Sequence, residues 1–236
     1  MRRYVSTGRV HPERADINFT SIEIGLGGVG KAQVHCDSSQ LTVVIEGDFD
    51  GFIAAHLTAE QLASMVVDAL GMFVGTGYSV ELIQTVEDDG TPHVFGARPH
   101  GPNGETLAIS DEAFFGRVLQ LSTSDIYFRF ATADYIRAIT NTRDCATYCY
   151  RAIESIKSAL AFKSGIDSWQ PMHETLGTNR ETIDRVVKRF ADPVRHGNWI
   201  ELPSTTGAQR FEMLKLTHDI LLSYLKHVGA GNGSKT

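Results

Sequence analysis

The feature that most constrains this chain is a change of hydrophobic period at the polar, turn-rich loop HGPNGE, His100 to Glu105. Ahead of it apolar residues come in short alternating runs, and behind it they recur at one-turn spacing. Alternation belongs to half-buried strands, and one-turn recurrence to amphipathic helices. The fold class predicted is therefore α+β. A β-rich α+β domain is expected over 1–108 and a helical bundle over 109–228, with a disordered tail at 229–236.

In the front half, Asp16 to Ile24, Lys31 to Cys36 and Leu41 to Ile45 read as strands, as do Tyr78 to Val86 and Thr91 to Ala97, with EDDG as a hairpin between the last two. GLGGVGK, Gly25 to Lys31, has the G-x-x-x-x-G-K skeleton of a phosphate loop. Alanine at 32 replaces the magnesium-binding hydroxyl, and AQVHCD reads as a strand rather than a helix, so a glycine-rich hairpin is expected. Asp48 and Asp50 lack the later ligands of a calcium loop and read as turn residues. Thr58 with Gln61 suggests a capping box, opening a helix whose buried face holds Leu62, Met65, Val66, Ala69, Leu70 and Phe73 until Gly75.

In the back half, Ser110 to Leu121, a segment opened by Ser124 and Asp125, Asp144 to Phe162, Trp169 to Leu176, Thr178 onward and Thr206 to Val228 read as helices. Composition narrows the function classes. No uninterrupted apolar stretch of membrane-spanning length and no signal-like N-terminus is present, so a cytoplasmic location without membrane association is expected. Cys36, Cys145 and Cys149 form no disulfide framework, and His35, His93 and His100 show no ligand spacing, so no metal or cofactor is expected. A net charge of −6 leaves room only for local contact with nucleic acid.

The densest chemistry lies between Thr178 and Trp199. A capping box, Thr178 with Glu181, starts a helix with Ile183, Val186, Val187 and Phe190 as its buried stripe. Arg185, Lys188 and Arg189 occupy the other face, and Pro193 is expected to turn the chain near Asp192, presenting Arg195 and His196 beyond the last turn. The segment carries three carboxylates, Glu181, Asp184 and Asp192. A helix-end residue donating to exposed carbonyls is the plainer reading of His196.

YRAIESI at Tyr150 to Ile156, RFADPVRHG at Arg189 to Gly197 and a closing amphipathic helix make residues 124–228 resemble a HEPN domain, whose motif is arginine followed after four to six residues by histidine. The whole chain more loosely resembles uncharacterised accessory proteins related to the methylamine-utilisation J type. The HEPN resemblance implies a metal-independent endoribonuclease or RNA-binding protein in bacterial defence or stress response, a homodimer through its bundle with RNA or nucleotide as ligand. Carried over, His196 is the acid or base and Arg189 the phosphate clamp, with Arg185, Lys188 and Arg195 as further substrate-binding cations. Phe190 and Pro193 depart from the motif. The alternative is a non-catalytic, dimerising nucleotide- or protein-binding module, its N-terminal domain recognising an unidentified protein.

Overall fold

The computed structural model describes residues 1–95, 98, 99, 101–198 and 205–232. Trp199, His100 and the end of the expected Thr91 to Ala97 strand lie outside them. The chain divides into two compact units, Met1–Gly96 and Ala97–Thr236. The arrangement is α+β, an antiparallel six-stranded sheet followed by a helical region.

The strands of the first unit are β1 (Arg2–His11), β2 (Phe19–Gly25), β3 (Gly30–Asp37), β4 (Gln40–Gly47), β5 (Ser79–Val86) and β6 (Pro92–Val94), ordered β2-β3-β4-β1-β5-β6. The expected glycine hairpin is present: Gly25 faces Lys31 across β2 and β3, with Gly27 at φ +60°. Lys31 pairs with Glu46 of β4 at 3.0 Å. β1 was not anticipated. Its inward positions include Ser6 and Gly8 between Tyr4 and Val10, so its alternation is weak in hydrophobicity although it holds the sheet centre.

α1 (Gly51–Val74) links β4 to β5, which both run antiparallel to β1 and hence parallel to each other. It starts seven residues before the expected Thr58 cap. Thr58 lies within the helix, its hydroxyl donating to Ala54 O at 2.9 Å. The buried face is a stripe of small residues, Ala55, Ala59, Ala63, Val67 and Gly71, flanked by Leu62, Val66 and Leu70. Met65 and Phe73, expected inside, are 53% and 86% exposed. Small side chains let the helix axis approach the strands closely, and size alone misjudges such a face. Among the described residues α1 is the one helix long and apolar enough to cross a membrane; here its small-residue stripe lies against the sheet.

The second unit contains α2 (Glu112–Ser124), α3 (Ile126–Thr140), α4 (Cys145–Ser164), α5 (Gln170–Leu176), α6 (Arg180–Ile183), a π-helical turn (Asp184–Lys188), α7 (Arg189–Arg195) and α8 (Gly207–Asn232). Asp111 caps α2 in place of Ser110, and Asp125 caps α3 through the Tyr127 and Phe128 amides. Thr206 and Gln209 form a reciprocal capping box on α8, at 3.2 and 2.9 Å. α8 extends to Asn232, so the first half of GAGNGSKT is helical; residues 233–236 lie outside the described ones. The core is built around Ile153, Ile156, Met172, Val187, Met213 and Tyr224.

Two features lock the start of α3. Asp125 Oδ2 accepts from the buried Tyr224 hydroxyl at 2.5 Å, and Lys163 Nζ lies 2.6 Å from that hydroxyl. Burial, then Asp125, pushes the Tyr224 hydroxyl pKa well up, so it stays a neutral donor.

Candidate functional site

α6, the π turn and α7 form one continuous helical run, which starts at Asn179 rather than Thr178. Asn179 Oδ1 accepts from the Thr182 amide at 2.8 Å, while Thr178 Oγ1 bonds His173 Nδ1. The Arg189 amide reaches Asp184 O, five residues back, which is the wide turn. Pro193 does not end the run. α7 carries on through it to Arg195 and stops by two bonds, Asn198 N–H to Pro193 O at 2.9 Å and Gly197 N–H to Val194 O at 3.1 Å. Gly197 has φ +71°. This is a complete Schellman stop with His196 as the capping residue and Gly197 in the left-handed position.

Three of the predicted cations face carboxylates, some from their own helical run and some from α4 and α8. Arg185 lies 3.3 Å from Glu212 of α8, and Lys188 3.9 Å from both Asp184 and Asp192. Arg195 lies 3.4 Å from Glu154 of α4 and 3.6 Å from Asp192, with its guanidinium 4.8 Å from the centre of the Tyr150 ring. Arg189 is exposed and stacks over Phe190 at 4.4 Å. His196 is exposed two turns further on, roughly 10 Å along the helix axis from Arg189. Burial pushes the Glu154 carboxyl above the usual range, an effect that the Arg195 charge only partly offsets and Asp192 reinforces. Burial and Glu154 likewise raise the Tyr150 hydroxyl.

On the adjoining side of α4, the helical unit opens into a groove of about 500 Å³ between α3 and α4. Tyr127, Phe130, Ala133, Asp134 and Arg137 line it from α3; Arg151, Glu154, Ser155 and Ser158 line it from α4. Asp134 is buried at its floor and holds two arginines, Arg137 on Oδ1 and Arg151 on Oδ2, each at 3.3 Å. Arg151 also lies over Tyr148, at 5.6 Å. Phe130 is 58% exposed; Ile126, one turn before it on α3, and Phe162, one turn after Ser158 on α4, are exposed too. Reading the segment opened by Ser124 and Asp125 as one helix, without dividing its apolar residues between faces, leaves this groove unseen. The spacing contains the signal: the buried face is Phe128, Ala131, Tyr135 and Ala138, and Ile126 and Phe130, one turn apart, fall outside it.

Among the described residues no group of three or more His, Cys, Asp or Glu is arranged to hold a metal. The three cysteines are free and buried.

Comparison with known proteins corrects the expected kinship. Residues 4–95 match the N-terminal domain, and residues 114–229 the C-terminal domain, of a domain of unknown function, DUF8168. The second match covers the segment assigned above to HEPN, and the chain is a member of neither that family nor the methylamine-utilisation J type. Of the Arg189 and His196 that carried the HEPN motif, His196 lies with Arg195 and Gly197 in a helix stop, a pattern that arises wherever a helix must end. No curated protein and no solved structure matches the chain.

Proposed function

The chain belongs to the DUF8168 family by both of its domains, and we propose that it is a non-catalytic binding module of the cytoplasm whose helical unit docks a protein partner in the α3–α4 groove. The observation that carries this reading is the exposure of Ile126, Phe130 and Phe162 along a groove already furnished with two tethered arginines. Clustered exposed apolar side chains with a polar rim are the mark of an interaction surface. The segment from Asp184 to His196 supports the non-catalytic half. Arg185, Lys188 and Arg195 each face a carboxylate, so a phosphate must compete with Glu212, Asp184, Asp192 or Glu154 for its clamp.

The test is incubation of the purified full chain with a mixed RNA pool, in EDTA and in magnesium. The pool is expected to remain intact under both conditions. Cleavage that is lost in a folded His196→Ala variant would overturn the reading.

A further inference from the structure

The groove is chemically graded along its length. Tyr127 and Phe130 lie at one end, where the Tyr127 ring also meets Phe162 at 6.4 Å. Ala133, Ser155 and Ser158 give a shallow middle of small side chains, and Arg137 and Arg151 stand at the other end. The helical rise puts Phe130 and Arg137 roughly 10 Å apart, two turns of α3. Each arginine spends one described nitrogen on Asp134, and the two side chains remain 59% and 50% exposed. A guanidinium has five N–H donors in a planar fork, so both retain donors for a further carboxylate.

Taking the docking surface proposed above as given, we infer that its occupant is one amphipathic α-helix from a different protein, with apolar anchors at i and i+4 and a carboxylate at i+7. The anchors cover Phe130 and the small-residue floor, and the carboxylate reaches Arg137 and Arg151. Charge complementarity selects this occupant over a second copy of the chain. The carboxylates lining the groove are Asp134, held by two arginines, and Glu154, held by Arg195. A second copy laid end for end sets arginines against Tyr127 and Phe130, and one laid in parallel sets arginines against arginines. Neither supplies the missing anion.

The probe is a fluorescein-labelled helical peptide with Leu at i and i+4 and Glu at i+7, titrated with the full-length protein and read by anisotropy, beside a twin with Lys at i+7. The Glu peptide is expected to bind at least about tenfold more tightly than the Lys peptide. Phe130→Glu abolishes binding of both, and Arg137→Gln with Arg151→Gln removes the preference. Phe130 is exposed, and glutamine at 137 and 151 keeps amide donors for the buried Asp134, so circular dichroism of these variants is expected to match that of wild type. If both peptides bind equally and Phe130→Glu abolishes both, the surface stands and the acidic helix is overturned. If neither peptide binds at millimolar concentration, or binding survives Phe130→Glu, the helix proposal falls, and in the second case the docking surface falls with it. Sedimentation that shows a dimer lost in Phe130→Glu assigns the groove to a second copy, and RNA binding lost in the arginine variants assigns it to RNA; either overturns the proposal.

Discussion

The helical unit carries arginine on two sides and treats it differently on each. Along the run from Asp184 to Arg195, the cations are interleaved with carboxylates of their own helix and met by Glu154 and Glu212 from α4 and α8. In the α3–α4 groove, two arginines share one buried carboxylate and stand beside exposed apolar side chains. The first side is richer in basic residues by sequence and is locally balanced in three dimensions. The second has fewer and keeps a surplus of one positive charge at the Arg137–Asp134–Arg151 cluster. Local surplus beside an apolar surface, rather than the number of basic residues, points to a binding site.

The largest effect expected from breaking this contrast comes from Asp134→Ala. It removes the tether of both groove arginines, and because these are half exposed and hydrate in its absence, the loss of stability is about 2 kcal/mol rather than that of a stranded buried charge. Urea denaturation checks it. On the other side, Gly197→Ala forces a Cβ into a left-handed cap and is expected to cost about 1 kcal/mol. A change below about 0.3 kcal/mol would mean that the helix stop is not held as described.

Two carboxylates sharpen the contrast through pH. Glu154 is raised in the folded protein, so its contribution to stability is present below the ordinary glutamate range and is lost as pH rises through its native value. Asp125 behaves oppositely. Burial pushes its carboxyl up, but the donors Tyr224, Phe128 N–H and Lys163 together outweigh that and hold it low. Its contribution is present above the ordinary aspartate range and is lost as pH falls through its native value. Urea midpoints from about pH 2 to about pH 8 are expected to lose their decline on the alkaline side in Glu154→Gln and to lose part of the acid-side fall in Asp125→Asn. The smallest effect is that of His196→Ala. This exposed capping residue is expected to change stability by less than about 0.5 kcal/mol and peptide binding not at all.

Local chemistry was legible in the sequence. The glycine hairpin, the Asp125 and Thr206 helix starts and the division into a strand-rich and a helical half all rest on residues close in the chain. Features that depend on distant partners were not. β1 hides its alternation behind Ser6 and Gly8, α1 packs by alanine rather than by its larger side chains, and the wide turn at Asp184–Lys188 leaves no mark in residue type. The site suffered most. Arg185, Lys188, Arg189, Arg195 and His196 were read from one segment, while the carboxylates facing Arg185 and Arg195 come in part from Glu212 and Glu154, outside it.

The place of β1 in the sheet sets the order in which the first unit can assemble. A ribosome delivers this strand before either neighbour, yet Val5 finds Val44 on one side and Val86 on the other. The centre of the sheet therefore stays open until β5 emerges, and closing it spans nearly the whole unit, a long-range pairing of the kind that slows folding. Until then β1, already pairable with β4, presents its other edge as a row of unpaired amides and carbonyls. The nascent chain thus passes through a stage in which its future interior is its most adhesive surface.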